Sequence, residues 1–171
     1  VMQEFSGSLE CLGLGYVDLL LLHWPGLFIL PERFPKDWNV EAPPREVAER
    51  KRAEMWAAIE KIYELKLARA IGVSNFTQDH LEALLPGCKV RPMMNQLEVH
   101  PYLSQAPLVR FCQDAGIQLT AYSPLAAGKA KVTEDPAILE LAAEMNLSPG
   151  QLILCWLLQR GIAVVPRSTN P

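Results

Sequence analysis

The chain has 171 residues, of which 50% are hydrophobic and 20% charged, with a formal net charge of −3. This composition predicts one globular domain with enough apolar mass for a core. The charges are scattered without a basic stripe, which argues against a nucleic-acid partner. No apolar run approaches the roughly 20 residues of a membrane span, and the opening VMQEFSGSLE does not read as a secretion signal. We therefore expect a cytoplasmic protein.

Short apolar segments alternate along the chain with longer segments of helical periodicity. The predicted strands cover residues 16–22, 68–73, 91–97, 118–122 and 163–166. In the helical segment predicted over residues 53–67, Trp56, Ile59 and Tyr63 share one face. Strands that alternate with helices predict right-handed βαβ units and a parallel sheet. The run LLLL at 19–22 then fits a strand that is buried on both faces.

Capping residues mark the ends of the predicted helices. Thr77 and Ser104 are expected N-caps, and Gly116 stands where a left-handed C-terminal residue belongs. Asp135 and Ser148 are each followed by a proline at the first helical position.

Four cysteines are spread along the chain without a Cys-x-x-Cys pair: Cys11, Cys88, Cys112 and Cys155. Cys112 and Cys155 lie inside apolar helical patterns. The four therefore predict reduced, buried thiols in a cytosolic protein, without a metal site.

Polar residues follow the carboxyl ends of the predicted strands, where α/β proteins carry their chemistry. His23 ends the four-leucine run, and residues 26–46 form a proline-rich, aromatic stretch whose length is typical of a functional loop. The other residues at this edge are Ser74, Asn75, Asn95, Gln96, Tyr122, Ser123, Arg167 and Ser168. This clustering predicts a site at one edge of the sheet.

Five motifs give the sequence a resemblance to a known family. LGYVDLLLLHWP, AIGVSNF, NQLEVHPYL, AYSPLA and PRSTNP resemble, in order and spacing, the signatures of the aldo-keto reductases. The resemblance covers nearly the whole chain. It implies an α/β fold, here a partial (β/α)8 TIM barrel of five parallel strands with intervening helices, as one domain over residues 1–171. It also implies NADPH-dependent reduction of an aldehyde or ketone to an alcohol, or the reverse.

The resemblance assigns a role to each motif residue. His23 is similar to the histidine that orients the substrate carbonyl, and Trp24 to a tryptophan of the substrate pocket. The residues implied to bind NADPH are Ser74, Asn75 and Gln96 at the carboxamide, Tyr122 on the ring, Ser123 and Leu125 over the pyrophosphate, and Arg167, Ser168 and Thr169 at the 2′-phosphate. Arginine stands at 167 where lysine is more usual, and it can bind phosphate through two donors.

Structural roles compete with several of these assignments. Taken alone, His23 would more often be a core histidine, and Trp24 and Tyr122 would be packing residues. Ser74 and Asn75 together suit a helix cap. Elsewhere, His80 and His100 are expected to be structural, and Glu98 has no second carboxylate with which to act as an acid–base pair.

The resemblance begins at the family's fourth strand and stops before its last helix. The family's proton-donating tyrosine, with the aspartate and lysine that tune it, precedes that strand. We therefore expect an inactive fragment of a reductase whose parent is monomeric, while a partial barrel with two open edges would self-associate. The alternatives are a non-catalytic scaffold or regulatory subunit, and an incomplete gene product. Lys66 stands where relatives often have glycine, so a left-handed turn there would cost about 1 kcal/mol.

Overall fold

The computed structural model describes residues 1–26, 43–128 and 131–167. The chain divides into two compact units, Val1–Pro92 and Met93–Pro171. Five strands alternate with helices along the two units.

The first unit pairs two parallel strands and packs helices on them. Its elements are α1 (Met2–Leu12), β1 (Val17–Leu22), α2 (Arg45–Glu64), β2 (Ala68–Ser74), α3 (Gln78–Leu84) and a 3-10 turn (Leu85–Gly87). The register of the strands runs from Val17 opposite Ala68 to Leu22 opposite Val73. This register brings the carboxyl ends of β1 and β2 to the same edge.

Helix α1 was not expected from the sequence. It buries Phe5 and Leu9 and ends at Gly13, which has a φ of 65°. Only these two side chains are buried, and Gly7 within the helix is a poor helix former, so the helical signal in the sequence is weak.

The core of the first unit is built on α2. Trp56 and Ile59 of the predicted face are buried, together with Ile62, whereas Tyr63 of that face is half-buried. The indole Nε1 of Trp56 donates to the Val90 carbonyl at 3.0 Å. Buried Glu60 accepts from the backbone N–H groups of Lys89 and Val90 at 2.7 and 2.8 Å. A buried carboxylate with two donors is satisfied, and it fixes the segment that leads out of this unit.

The four leucines of β1 are less buried than the sequence suggested. Residues 19–22 are each only half-buried. Among the described residues of this unit, β1 pairs with β2 alone, so its other edge and part of its faces stay open. The expectation of a strand buried on both faces was therefore wrong for β1. It holds better for β2, whose last four residues, 71–74, are buried.

The second unit pairs three parallel strands. Its elements are β3 (Met94–Glu98), α4 (Ala106–Asp114), β4 (Gln118–Tyr122), 3-10 turns at Ala126–Gly128 and Val132–Glu134, α5 (Pro136–Glu144), α6 (Pro149–Gln159) and β5 (Ile162–Val165). Glu98 lies opposite Tyr122, and Tyr122 opposite Val165.

Most of the predicted boundaries are close to the observed ones. The strand at 118–122 is confirmed with the same bounds, and the others differ by one to three residues at an end. The helix predicted from residue 53 begins earlier, at Arg45, because the charged first turns of α2 carry little apolar periodicity.

The predicted caps are confirmed at three of four helices. Thr77, Asp135 and Ser148 each accept from a backbone N–H of the first helical turn. Ser104 is not the N-cap of α4, since Gln105 holds that position in a left-handed conformation and its side chain donates to the Glu98 carbonyl at 2.6 Å.

All four cysteines are free thiols, but they are not all buried. Cys112 is buried and Cys88 half-buried, whereas Cys11 and Cys155 are exposed. The buried residues of α6 are Leu152, Ile153 and Leu157, and position 155 falls away from that face. The expectation of buried thiols was therefore wrong for both Cys11 and Cys155.

In the part of the chain that the structure describes, none of the helices has the length and apolar character required to cross a membrane.

Lys66 follows α2 in the left-handed conformation, the conformation whose cost was considered for this position in the sequence. Its φ is 60°, and the N–H of Leu67 reaches back to the Ile62 carbonyl at 3.1 Å, which is the six-residue closure of a Schellman motif. We expect Lys66→Gly to raise the free energy of unfolding by about 1 kcal/mol, because glycine relieves the strain of a β-carbon there. Urea denaturation measures the change.

The control for this variant is Lys61→Gly, in the last turn of the same helix. It should lower the stability by about 1 kcal/mol, because glycine is a poor residue in a helix interior. If both substitutions destabilise the chain equally, the left-handed strain at Lys66 is not being relieved.

Exposed thiols should react faster with Ellman's reagent than buried ones. Burial, and secondly the charge of Glu60, raise the pKa of Cys88 from 9.0 to about 11, so its reactive thiolate is scarce near neutral pH. We expect the native chain to react quickly at two thiols, Cys11 and Cys155, and the denatured chain at all four.

The variant Cys155→Ser should remove one fast-reacting thiol from the native chain. Cys88→Ser should lower only the number of thiols that react in the denatured chain. Since the folded pKa of Cys88 lies above the unfolded value, its neutral thiol contributes stability below pH 9.0 that is lost as pH rises toward about 11. Fast native labelling of Cys88 would contradict this assignment.

Candidate active site

The carboxyl ends of β1 and β2 hold three of the predicted site residues together. Asn75 follows β2 with a φ of 62°, a left-handed conformation that asparagine tolerates well. Its Nδ2 donates to the His23 carbonyl at 3.0 Å and to Ser74 Oγ at 3.2 Å. One amide therefore links the end of β1 to the end of β2, and Ser74 beside it is buried.

His23 and Trp24 lie exposed directly after β1. Their rings are 5.7 Å apart between centroids and inclined by 32°. Trp24 keeps 44% of its surface exposed, which does not suit a residue that only fills the core. The packing alternatives for His23 and Trp24 are thus weakened by their position.

Arg52 of α2 supports the same segment, and it was not predicted from the sequence. Its side chain is buried, at 7% exposure, and Nη1 donates to the Pro25 carbonyl at 3.3 Å. Together with Asn75 it fixes two carbonyls on either side of Trp24. The sequence offered one indication of this role, because Arg52 is a charged residue four positions before Trp56 on the apolar face of the helix.

The helix-cap alternative for Ser74 and Asn75 is not what the structure shows. Thr77 is the N-cap of α3, and its backbone N–H donates to His80 Nδ1 at 3.2 Å in a capping box. His80 is therefore a structural residue, as expected. Burial, and secondly the charge of Arg52, lower the pKa of His80, which keeps the neutral ring that a capping acceptor requires.

In the second unit, strand alternation separates two adjacent polar residues of β3. Asn95 is fully buried and donates to Cys112 Sγ of α4 at 3.8 Å, so it serves the packing of this helix. Gln96 and Glu98 point to the other face. Their register partners on β4 are Thr120 and Tyr122, so this face carries the predicted site residues Gln96 and Tyr122.

A cavity of about 730 Å³ opens beyond the ends of β4 and β5. Its lining includes four predicted cofactor residues and one that the sequence reading missed, Thr133. The lining residues are Tyr122, Ser123, Pro124, Leu125, Ala127, Thr133, Val165 and Arg167. Thr133 lies in a short turn without any motif, so no sequence signal pointed to it.

Burial, and secondly the charge of Glu98, raise the pKa of Tyr122. The phenol therefore stays neutral at physiological pH, which suits a residue that contacts a ligand through the face of its ring.

The loop around this cavity holds three non-glycine residues with positive φ. Ser123, Ala126 and Ala127 have φ values of 46°, 56° and 48°. Such backbone persists only where its surroundings impose it, and it concentrates at functional sites. Here the Ala126 N–H closes a turn on the Ser123 carbonyl at 2.8 Å.

The chemistry of the cavity suits a phosphorylated ligand. Arg167 supplies a guanidinium, and Ser123 and Thr133 supply hydroxyl groups, all of which are phosphate donors. Ser168 and Thr169, the other predicted residues of this segment, lie outside the described residues. The residues present thus fit the phosphate end of a dinucleotide.

The structure brings the predicted residues together in two groups, one in each unit. The first group contains His23, Trp24, Ser74 and Asn75 at the ends of β1 and β2. The second contains Tyr122, Ser123, Leu125 and Arg167 around the cavity, with Gln96 on the strand face that also carries Tyr122.

Comparison with known proteins gives a consistent result. The family model described as "Aldo/keto reductase family" matches residues 1–171. The chain is 42% identical over 177 residues to aldose reductase B of Dictyostelium discoideum, covering 100% of this chain and 56% of that protein. It is 41% identical over 167 residues to glyoxal reductase of Bacillus subtilis (strain 168), covering 98% of this chain and 52% of that protein.

Solved structures agree with the sequence comparison. An aldo/keto reductase from Brucella melitensis aligns with a TM-score of 0.79 and 34% identity, over 99% of this chain and 57% of that one. This confirms the expected partial (β/α)8 barrel architecture. The chain spans about half the length of the curated relatives it matches. It belongs to the aldo/keto reductase family.

Proposed function

We propose that this chain provides the carbonyl-orienting and cofactor-binding parts of an NADPH-dependent reductase of aldehydes or ketones. The observation that carries the proposal is the hydrogen bond from Asn75 Nδ2 to the His23 carbonyl at 3.0 Å. It joins a residue suited to the nicotinamide carboxamide to a residue suited to the substrate carbonyl. The names of the glyoxal and aldose reductases among the relatives support a carbonyl substrate.

His23 would donate a hydrogen bond to the substrate carbonyl oxygen. Such a donor orients the carbonyl and stabilises the negative charge that develops on its oxygen. The backbone of this segment is fixed by Asn75 at the His23 carbonyl and by Arg52 at the Pro25 carbonyl. The exposed indole of Trp24 would form one wall for the substrate.

The carboxamide of the nicotinamide would be held by Ser74, Asn75 and Gln96. A carboxamide carries both donors and an acceptor, and these hydroxyl and amide side chains match both. Asn75 Nδ2 donates to His23 and Ser74, which fixes the orientation of this amide. The neutral ring of Tyr122 would stack on the nicotinamide.

The phosphates would be bound at the cavity beyond β4 and β5. Ser123 and Leu125 lie on the loop that would cover the pyrophosphate. The guanidinium of Arg167 would bind the 2′-phosphate through two donors, with Ser168 and Thr169 beside it in sequence. Arg167 is exposed at the cavity, so its charge is available to a ligand.

Bound NADPH would supply the hydride to the carbonyl carbon. The carbonyl oxygen would take a proton, which gives the alcohol and NADP+. We assign the proton donor to a group outside these 171 residues, and we propose that the chain alone binds cofactor without turnover. Loss of a general acid typically costs 10²- to 10⁴-fold in rate.

A titration with NADPH tests the proposal directly. We expect the 171-residue chain to bind NADPH saturably, as followed by tryptophan fluorescence, and to show no oxidation of NADPH with an aldehyde present. Absence of binding would contradict the cofactor role. Turnover by the chain alone would instead show that the proton donor lies within it. If substitutions at Asn75 leave NADPH binding unchanged, the result would favour a non-catalytic scaffold.

Arg167 should determine the preference for NADPH over NADH. We expect Arg167→Met to weaken NADPH binding by roughly tenfold, because a charge-assisted contact to the 2′-phosphate is lost. The affinity for NADH, which lacks this phosphate, should change little. The control is Arg110→Met, an exposed arginine on α4. An equal loss for NADPH and NADH would place Arg167 away from the 2′-phosphate.

A further inference from the structure

Glu98 is a carboxylate beside the proposed nicotinamide site, and none of the roles above uses it. It is the last residue of β3, and its register partner is Tyr122 on β4. Side chains of register partners in paired strands lie on the same face, and so do those of residues two apart on one strand. Glu98 therefore shares a face of the sheet with both Gln96 and Tyr122.

The position of Glu98 is fixed by contacts of both its backbone and its side chain. Gln105 Nε2 donates to the Glu98 carbonyl at 2.6 Å. His100 Nε2 lies 3.6 Å from Glu98 Oε1. His100 is itself 7% exposed and is held by paired backbone hydrogen bonds with Leu103.

The side chain of Glu98 is partly exposed and lies near Tyr122. It is 38% exposed, so a ligand could approach it. Its charge is felt at Tyr122, because Glu98 is the second cause, after burial, of the raised pKa of that phenol. A cationic ring placed on Tyr122 would be affected in the opposite sense and would be stabilised.

We propose that Glu98 is a specificity-determining residue that favours the oxidised nicotinamide over the reduced one. This inference rests on the proposed function, in particular on the stacking of nicotinamide against Tyr122. The oxidised ring carries a positive charge and the dihydronicotinamide ring carries none, while the rest of the two cofactors is the same. A fixed carboxylate beside the ring therefore discriminates between them by charge alone.

The two cofactor forms provide the test in one protein. We expect Glu98→Gln to weaken NADP+ binding by about three- to tenfold, the size of one partly screened charge contact, and to leave NADPH binding nearly unchanged. The ratio of the two dissociation constants is the quantity measured. Raising the salt concentration should reduce the difference between wild type and variant.

Two further variants make the result specific to this carboxylate. Glu140→Gln removes an exposed carboxylate on α5 of the same unit and should leave the ratio unchanged. Glu98→Asp keeps the charge and should retain most of the discrimination.

The outcomes separate the inference from the function on which it rests. If both cofactors bind the wild-type chain and Glu98→Gln leaves their ratio unchanged, the inference is overturned and the proposed function stands. Equal weakening of NADP+ and NADPH also overturns it, because Glu98 would then be structural. If neither cofactor binds the wild-type chain, the proposed function fails and the inference with it.

Discussion

The hydrogen bond from the Asn75 amide to the His23 carbonyl is the contact on which the first group of site residues depends. Parallel pairing of β1 and β2 brings the two strand ends to one edge, but pairing alone does not fix the residues beyond the strands. The left-handed turn at Asn75 directs its amide back across the sheet. A side chain with a single hydrogen to donate at position 75 could not serve both His23 and Ser74, and a β-branched residue would not adopt this φ.

In the second unit, the alternation of side chains along β3 positions the candidate site residues. Successive residues of β3 point in opposite directions, so Asn95 contacts α4 while Gln96 and Glu98 join Tyr122 on the other face. Within residues 95–98, polar groups are thereby divided between packing and the proposed ligand site. The unit concentrates charge where a dinucleotide would need it, with an arginine at the cavity and a carboxylate at the proposed ring site.

Much of this arrangement could be predicted from the sequence, because it depends on local signals. Caps such as Thr77 and Ser148 and the strand at 118–122 follow from patterns within a few residues. The half-burial of β1 depends instead on which strands lie beside it, and a run of leucines does not reveal that. Thr133 is brought to the cavity by tertiary packing and no sequence motif marked it, while the only sequence signal for Arg52 was a charge on the apolar face of its helix.

The positive φ angles around the cavity also have a kinetic consequence. Alanine and serine restrict the unfolded chain more than glycine does, so less conformational entropy is lost when Ser123, Ala126 and Ala127 adopt these angles. The left-handed turn is imposed on these residues by the surrounding fold. A ligand entering the cavity would encounter a preorganised surface, so its association rate would be governed by diffusion and electrostatic attraction rather than by a slow rearrangement of the loop.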